Sequence, residues 1–391
     1  MAVYLDWNAT TPPLAEALDA MRRVGGETWG NPSSIHGHGR AARSIVEDAR
    51  EAVAALAGAD ARDVLLTGGG TEANNIAVRS AFAGGADAAN AEAPLLVTSR
   101  LEHPSITRVA EALEREGRAR VRWVSVLEAG VVDLADLERT LAGAAKQNDR
   151  VALVTIQAVN HETGVLQPVA DATRLAHAAG ARIHVDAVQA WGKVDTSAVA
   201  GADSASLAAH KIRGPKGIGA LVTRAGLRLV PVLLGGAQEK GLRPGTVDPV
   251  LAAGLAIAAR RAVDVHERHA HIAERRDTLE RALLSMGAAE RRPRVAGDPA
   301  LRAAHVSLMV WPGWAGAELV AALDLEGVSV SSGAACSAGT IEPSPVLAAM
   351  FGERDASSGV RASLGDDTTT EDVTTAVAAF ARVTSRHFSK P

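Results

Sequence analysis

Two side chains, Lys211 and Asp186, stand where they could do chemistry. Lys211 closes a small, apolar run at residues 205–209 and directly follows His210. Such a run, bounded by polar residues, reads as a buried strand end or the tight turn after it. Gly214-Pro215 then breaks the chain, and residues 217–223 resume as another strand. An ammonium at the end of a buried segment is costly unless it is paired or its charge is lost. One way to lose it is an imine with an aldehyde such as pyridoxal phosphate, PLP. Asp186 sits at the end of a second strand, residues 182–188. A carboxylate there wants a cation or several N–H donors. A protonated pyridine nitrogen is such a cation, and keeping it protonated makes the ring an electron sink. Gln189, three residues on, could reach the ring's phenolic oxygen. His103, just after a strand at 95–98, could stack on its face.

Each of these residues alone has a plainer explanation: a lysine that snorkels, a capping aspartate, a structural histidine. Their placement in the chain is what matters. Residues 3–12 look like an extended arm ending at Pro12-Pro13, and 25–39 like a loop. Residues 34–56 turn helical, with Ile45, Ala49, Val53 and Leu56 on one face and Gly58 as the stop. A strand at 64–67 runs into Gly68-Gly69-Gly70-Thr71, and a helix follows to Gly84-Gly85. Strand, glycine turn and helix together present free N–H groups to an anion, and the helix dipole adds to the pull. The spacing is neither a P-loop nor the dinucleotide fingerprint.

Strands at 95–98, 121–126, 151–159 and 182–188 then alternate with helices. One closes at Gly117, one runs from Asp133 to Leu141, and one runs from Pro168 to Gly180. The alternation predicts an α/β fold, a mainly parallel sheet with helices on both faces. Ligands on such sheets sit at the carboxyl ends of strands, where the polar residues named above lie. Near residue 255 the chain changes character. A long, charge-rich helix is expected over 255–286, then a strand at 305–310 and a helix at 317–325. The segment 328–339 follows, then an edge or inner strand at 361–365 and a last helix opening at 368–371. This reads as a second, smaller α+β domain.

The bulk properties suit an enzyme. The chain has 391 residues, 47% of them hydrophobic and 22% charged, with a formal net charge of −4. That length suits about two or three domains. Mild acidity without a Lys/Arg block argues against a nucleic-acid partner. No apolar run approaches the about 18 residues of a membrane span, and no signal peptide is visible, so a cytoplasmic address is expected. The one cysteine, Cys336, rules out an intrachain disulfide and a cysteine-only metal cage.

Together the motifs are specific. They are Asn8-Ala-Thr-Thr-Pro12, Gly69-Gly-Thr-Glu72, Glu102-His103 and Asn160-His-Glu-Thr-Gly164, then His184-Val-Asp-Ala-Val-Gln189, Ala209-His-Lys211 and Gly214-Pro-Lys-Gly217. Gly241-Leu-Arg-Pro-Gly-Thr246, Ser331-Ser-Gly-Ala-Ala-Cys336 and Arg361-Ala-Ser-Leu-Gly365 complete the series. In this order, across almost the whole chain, they resemble the cysteine desulfurase family of the class-V aminotransferases. The Ser-Ser-Gly-Xaa-Ala-Cys form is similar to the group with an extended catalytic loop.

The resemblance implies a fold-type-I PLP transferase, with a seven-stranded, mainly parallel sheet between helices plus a smaller α+β domain. The large domain would span 13–255. The small one would combine 1–12 with 256–391 and carry the cysteine loop at about 329–342. Lys211 would hold PLP and move the substrate Cα proton, Asp186 would pair with the ring nitrogen, and Gln189 with the ring oxygen. His103 would stack on the ring and act as general acid–base. Gly70, Thr71 and His210 would bind the phosphate, joined by Thr246 of a second subunit in a homodimer. Arg361 would clamp the substrate carboxylate, with Asn160 and His161 on the substrate side. The Cys336 thiolate would take sulfur from L-cysteine, leave L-alanine, and pass the persulfide to an acceptor protein. The sequence leaves open another class-V PLP lyase or transaminase, such as a selenocysteine lyase, and a catalytically impaired partner protein.

Three departures stand out. His161 occupies a position where the family usually has asparagine. Ala208 stands where it usually has a phosphate-binding serine, which predicts looser PLP retention. Pro244 stiffens the turn before Gly245.

Overall fold

Short runs of leucine and branched side chains, closed by glycine or a polar residue, form the strands of the larger layer. A computed structural model of the chain describes residues 2–83, 92–224, 226–263, 266–287, 291–333 and 343–388. The first half contains β1 (Val3–Tyr4), α1 (Ala15–Glu27), α2 (Gly37–Ala57), β2 (Val64–Thr67), α3 (Gly70–Ala81) and β3 (Leu95–Ser99). Next come α4 (Pro104–Arg115), β4 (Arg120–Val124), α5 (Leu134–Lys146), β5 (Val151–Gln157), α6 (Val169–Ala178) and β6 (Arg182–Asp186). Then follow β7 (Ser204–Ala208), β8 (Gly219–Thr223), α7 (Pro249–Ala262) and α8 (His266–Leu284). The last part holds β9 (Arg294–Val295), β10 (Val306–Val310), α9 (Gly316–Leu325), β11 (Val328–Ser329) and β12 (Ser331–Ser332). It ends with α10 (Pro345–Phe351), β13 (Gly359–Ser363) and α11 (Thr370–Phe388).

The expected seven-stranded sheet is present, in the order β2-β8-β7-β6-β5-β3-β4. β8 alone runs against the rest, antiparallel to both β2 and β7. Successive residues of β3 show why the strands read as unbroken apolar runs. Leu95 and Val97 pack with α2, α5, α6 and α7, while Leu96 packs with α3 and α4. A sheet covered on both faces has no wet side, so polar alternation disappears.

Local chemistry sets the helix ends. Asp133 accepts the N–H groups of Ala135 and Asp136 and starts α5. Gly58 takes a left-handed φ of 62° to end α2, as its position after the last apolar residue predicts.

Two expectations are corrected. The single helix expected over 255–286 is two, α7 and α8. The alanines of α7 are buried in the large core, while Ile272, Leu279 and Leu283 of α8 pack in a second core with α9 and α11. Helix α1 lies in a stretch where the residue pattern predicts no helix. Its buried residues are Ala17, Ala20 and Val24, a stripe too weakly apolar to stand out.

Around the second core, β12-β13-β10-β9 form an antiparallel sheet. Arg361 therefore lies on an inner strand. The N-terminal arm joins this part. Val3 and Tyr4 pair with Val328 and Ser329, and Asp6 bridges to Ser363. Among the described residues, no helix is long and apolar enough to cross a membrane.

Candidate active site

The carboxyl ends of β3, β5, β6 and β7 lie together because these strands are parallel and adjacent. The residues that follow them open onto one cavity of about 1190 Å³. Its wall includes His103 beyond β3, the strand-end residues Gln157 of β5, Asp186 of β6 and Ala208 of β7, and, beyond those strands, His161, Gln189, His210 and Lys211. Gly70 and Thr71, the first residues of α3, and Arg361 of β13 complete it.

Lys211 Nζ donates to the backbone carbonyl of Ala9 at 2.9 Å and to that of Asn8. The N-terminal arm thus fixes the end of this side chain. Asp186 is held from three sides. Asn74 Nδ2 donates to one carboxylate oxygen at 2.8 Å; Ser206 Oγ and the Val188 N–H donate to the other at 3.2 and 3.1 Å. The orientation of Asn74 is itself set. His184 Nε2 donates to Asn74 Oδ1 at 2.9 Å, with His184 Nδ1 on Ser204 Oγ at 2.8 Å. Burial pushes the His184 imidazolium down to about 4, so it serves as a neutral donor.

His103 caps α4, its Nδ1 accepting the Ser105 N–H at 3.1 Å. In the neutral ring the proton is then on Nε2. Burial lowers its proton affinity and Lys211 adds to this, while Asp186 opposes it. The His161 ring meets that of His103 edge-on, 5.3 Å between centroids. Burial, then the nearby His103, Arg361 and Lys211, hold His161 well below the usual range. His210 is pushed down to about 4 by burial and by Lys211, Lys193 and Lys216. A Cβ placed on Gly70 would lie 2.5 Å from Val188 and 3.6 Å from the Ala208 methyl. Only glycine fits that approach, and Ala208 offers no donor beside the helix start.

Arg361 is 2% exposed. It donates to Asp6 Oδ1 at 2.7 Å and to the His161 carbonyl at 2.8 Å. Its Nε has no partner among the described groups. Arg361→Met strands the Asp6 carboxylate and is expected to lower the unfolding free energy by about 3–5 kcal/mol. Asp6→Asn in the same protein should recover part of that loss in denaturant melts. A loss within error of zero for Arg361→Met would refute the pairing.

Glu162 is buried and accepts Ser344 Oγ at 2.6 Å. A Cβ on Gly333 would lie 2.2 Å from the same carboxylate oxygen. Burial pushes its carboxyl up from 4.5 to about 7, against the pull of Ser344 and Arg361. The folded value is the higher one, so the group's contribution to stability is complete below the unfolded value. It is lost as pH rises through about 7. Glu162→Gln should remove this slope and gain about 3 kcal/mol relative to the parent above pH 7. Urea melts at pH 5 and pH 8 test this; identical pH dependence in both proteins would contradict it.

Two expected site residues lie elsewhere, and a third is outside the described residues. Asn160, fully buried, spends its side chain inside its own loop and does not line the cavity. Its Oδ1 accepts the N–H groups of Glu162 and Thr163, and its Nδ2 donates to the Leu101 carbonyl. Thr246 is exposed and off the cavity wall. Cys336 is outside the described residues, although Gly333 and Pro343, which flank its segment, both line the cavity. The partners Asn74, His184, Ser206 and Asn8 escaped the sequence reading. His184 and Asp186, two apart on one strand, share a face, and that spacing was the available signal.

The aminotransferase class-V family matches residues 3–375. A solved NifS-like protein superposes with a TM-score of 0.86 at 30% identity, covering 99% of this chain and 100% of that one. The sheet order, the covered faces and the cavity at the strand ends thus define a fold-type-I PLP architecture. The cysteine desulfurase of Cereibacter sphaeroides is 42% identical over 375 residues, 95% of this chain and 92% of that protein. The IscS-like cysteine desulfurase of Mycobacterium tuberculosis is 36% identical over 383 residues, 96% and 94% of the two chains. The chain belongs to the class-V aminotransferase family, within its cysteine desulfurase branch.

Proposed function

We propose that this chain is a PLP-dependent cysteine desulfurase that converts L-cysteine to L-alanine and holds the sulfur as a persulfide on Cys336 for an acceptor protein. The observation that carries this is the cavity wall, where one lysine amine, an oriented carboxylate and a helix N-terminus face a common space. These groups match the three handles of PLP: an aldehyde, a ring nitrogen and a phosphate. When bound, PLP supplies the electron sink that acidifies the substrate Cα and makes the Cβ–S bond cleavable.

Lys211 holds the cofactor and moves the Cα proton. Asp186, oriented by Asn74 and Ser206, would pair with the ring nitrogen, and Gln189 would bond the ring oxygen. His103 would stack on the ring and carry a transferable proton on Nε2. The N–H groups of Gly70 and Thr71, with neutral His210, receive the phosphate. Arg361 would clamp the substrate carboxylate, with His161 beside it. The Cys336 thiolate attacks the substrate sulfur and becomes a persulfide.

The working form is a homodimer in the cytoplasm. Thr246 is too exposed to serve its own cavity, and Leu233 and Leu234, on the same connecting segment, are 58% and 91% exposed. A second copy covering that segment accounts for both. Residues 13–255 form the PLP-binding domain, and 1–12 with 256–391 the smaller one. The test is incubation of the PLP-loaded protein with L-cysteine, analysing products. Alanine and sulfide in equal amounts are expected with a thiol reductant present; cysteine consumed without alanine would defeat the reading.

A further inference from the structure

Lys193 stands between two cavities. Gln189, one turn earlier, lines the large one, while Lys193 lines a small one of about 50 Å³ shared with Trp7, Thr11, Lys211 and His305. Lys193 is 8% exposed, and its Nζ donates to Gln189 Oε1. Burying an amine against an amide rather than a carboxylate is expensive. The arrangement therefore asks for a role beyond packing. Lys211, Arg361 and His305 are the titratable and charged groups nearest to it in effect, and Arg213, Arg261 and His269 line the same small cavity. Burial, then Lys211 and Arg361, push its ammonium well below the usual lysine range. A neutral amine still donates.

The contact orders the Gln189 amide, which has one accepting and one donating end. With Oε1 occupied by Lys193, Nε2 is the end left to donate, and it lies 2.9 Å from the Asn8 carbonyl. That carbonyl also receives Lys211 Nζ. Asn8 is a fixed reference, its side chain held by His305 Nε2 at 2.9 Å and by the His161 carbonyl at 3.2 Å. The two lysines are thus joined through one glutamine and one carbonyl.

We propose that Lys193 is a positioning residue that locks the Gln189 amide with its NH₂ end toward the bound cofactor, and so sets the protonation of the cofactor's link to Lys211. This rests on Lys211 being the cofactor lysine. A donor at the cofactor's phenolic oxygen favours its anionic form; an acceptor there disfavours it.

The measurement is a pH titration of the visible absorption band of PLP-loaded protein, with thermal melting alongside. Lys193→Met should raise the apparent pKa of the band by about one unit. Gln189→Ala should shift it similarly, and adding Lys193→Met to Gln189→Ala should shift it no further. Lys193→Gln, which keeps a donor without an ammonium, should titrate like the parent. An unshifted Lys193→Met, or a shift that persists in full in the Gln189→Ala background, would overturn the proposal. If Lys193→Met does not fold, a Lys193→Gln shift as large as that of Gln189→Ala would do the same. Absence of the band from the parent protein would instead sink the cofactor reading itself.

Discussion

Protein carrying Lys211→Ala is expected to turn over L-cysteine more than about 10³-fold slower than the parent, since positioned proton transfer alone contributes 10²–10⁴. On the proposed reading the side chain has two tasks, holding the cofactor and moving the Cα proton, and both end with it. The buried amine of Lys193 lines the smaller cavity and is already engaged with Gln189 Oε1. The backbone carbonyls that receive Lys211 Nζ remain in the variant and attract water instead. Borohydride reduction followed by peptide mapping reads the covalent link directly. The parent should carry the reduced cofactor at residue 211 and the variant should carry none. A label elsewhere in the parent, or undiminished turnover by the variant, would remove the central residue from the reading.

Cys336→Ala should abolish sulfide release while leaving the cofactor's absorption spectrum intact. The chain contains no second thiol, so no neighbour can rescue the reaction. A serine or water oxygen is a far poorer acceptor of sulfur than a thiolate. The residue lies outside the described part of the chain; Gly333 and Pro343, the described residues on either side, both line the cavity. The cofactor's handles are on other elements, so its spectrum should not register the change. Sulfide formed at the parental rate would reassign the nucleophile.

Much of this was legible in the chain because parallel, doubly covered strands write themselves as short apolar runs, and because the residues closing those runs are the ones that face the cavity. His103, Asp186 and Lys211 were found for that reason. Other features were illegible for physical causes. The buried stripe of α1 is mostly alanine, which solvates too little differently from a loop to mark a face. The break between α7 and α8 lies within continuous helical composition, and only the partner core distinguishes them. Asn160 was placed by its neighbours in sequence, whereas its amide is consumed by a turn that no spacing predicts. The supports of Asp186 come from α3, β6 and β7, and such a network exists only once those elements meet.

The arm at the N-terminus has a consequence for biosynthesis. The Asn8 N–H is bound by Ser363 Oγ across 355 residues of sequence, and the same residue offers its carbonyl to Lys211. A segment made early thus waits for one made 355 residues later before it can dock, and closure over such a span is slow. Capture of the vitamin-derived aldehyde should therefore lag behind formation of the layered core, and chains released before residue 363 should emerge colourless.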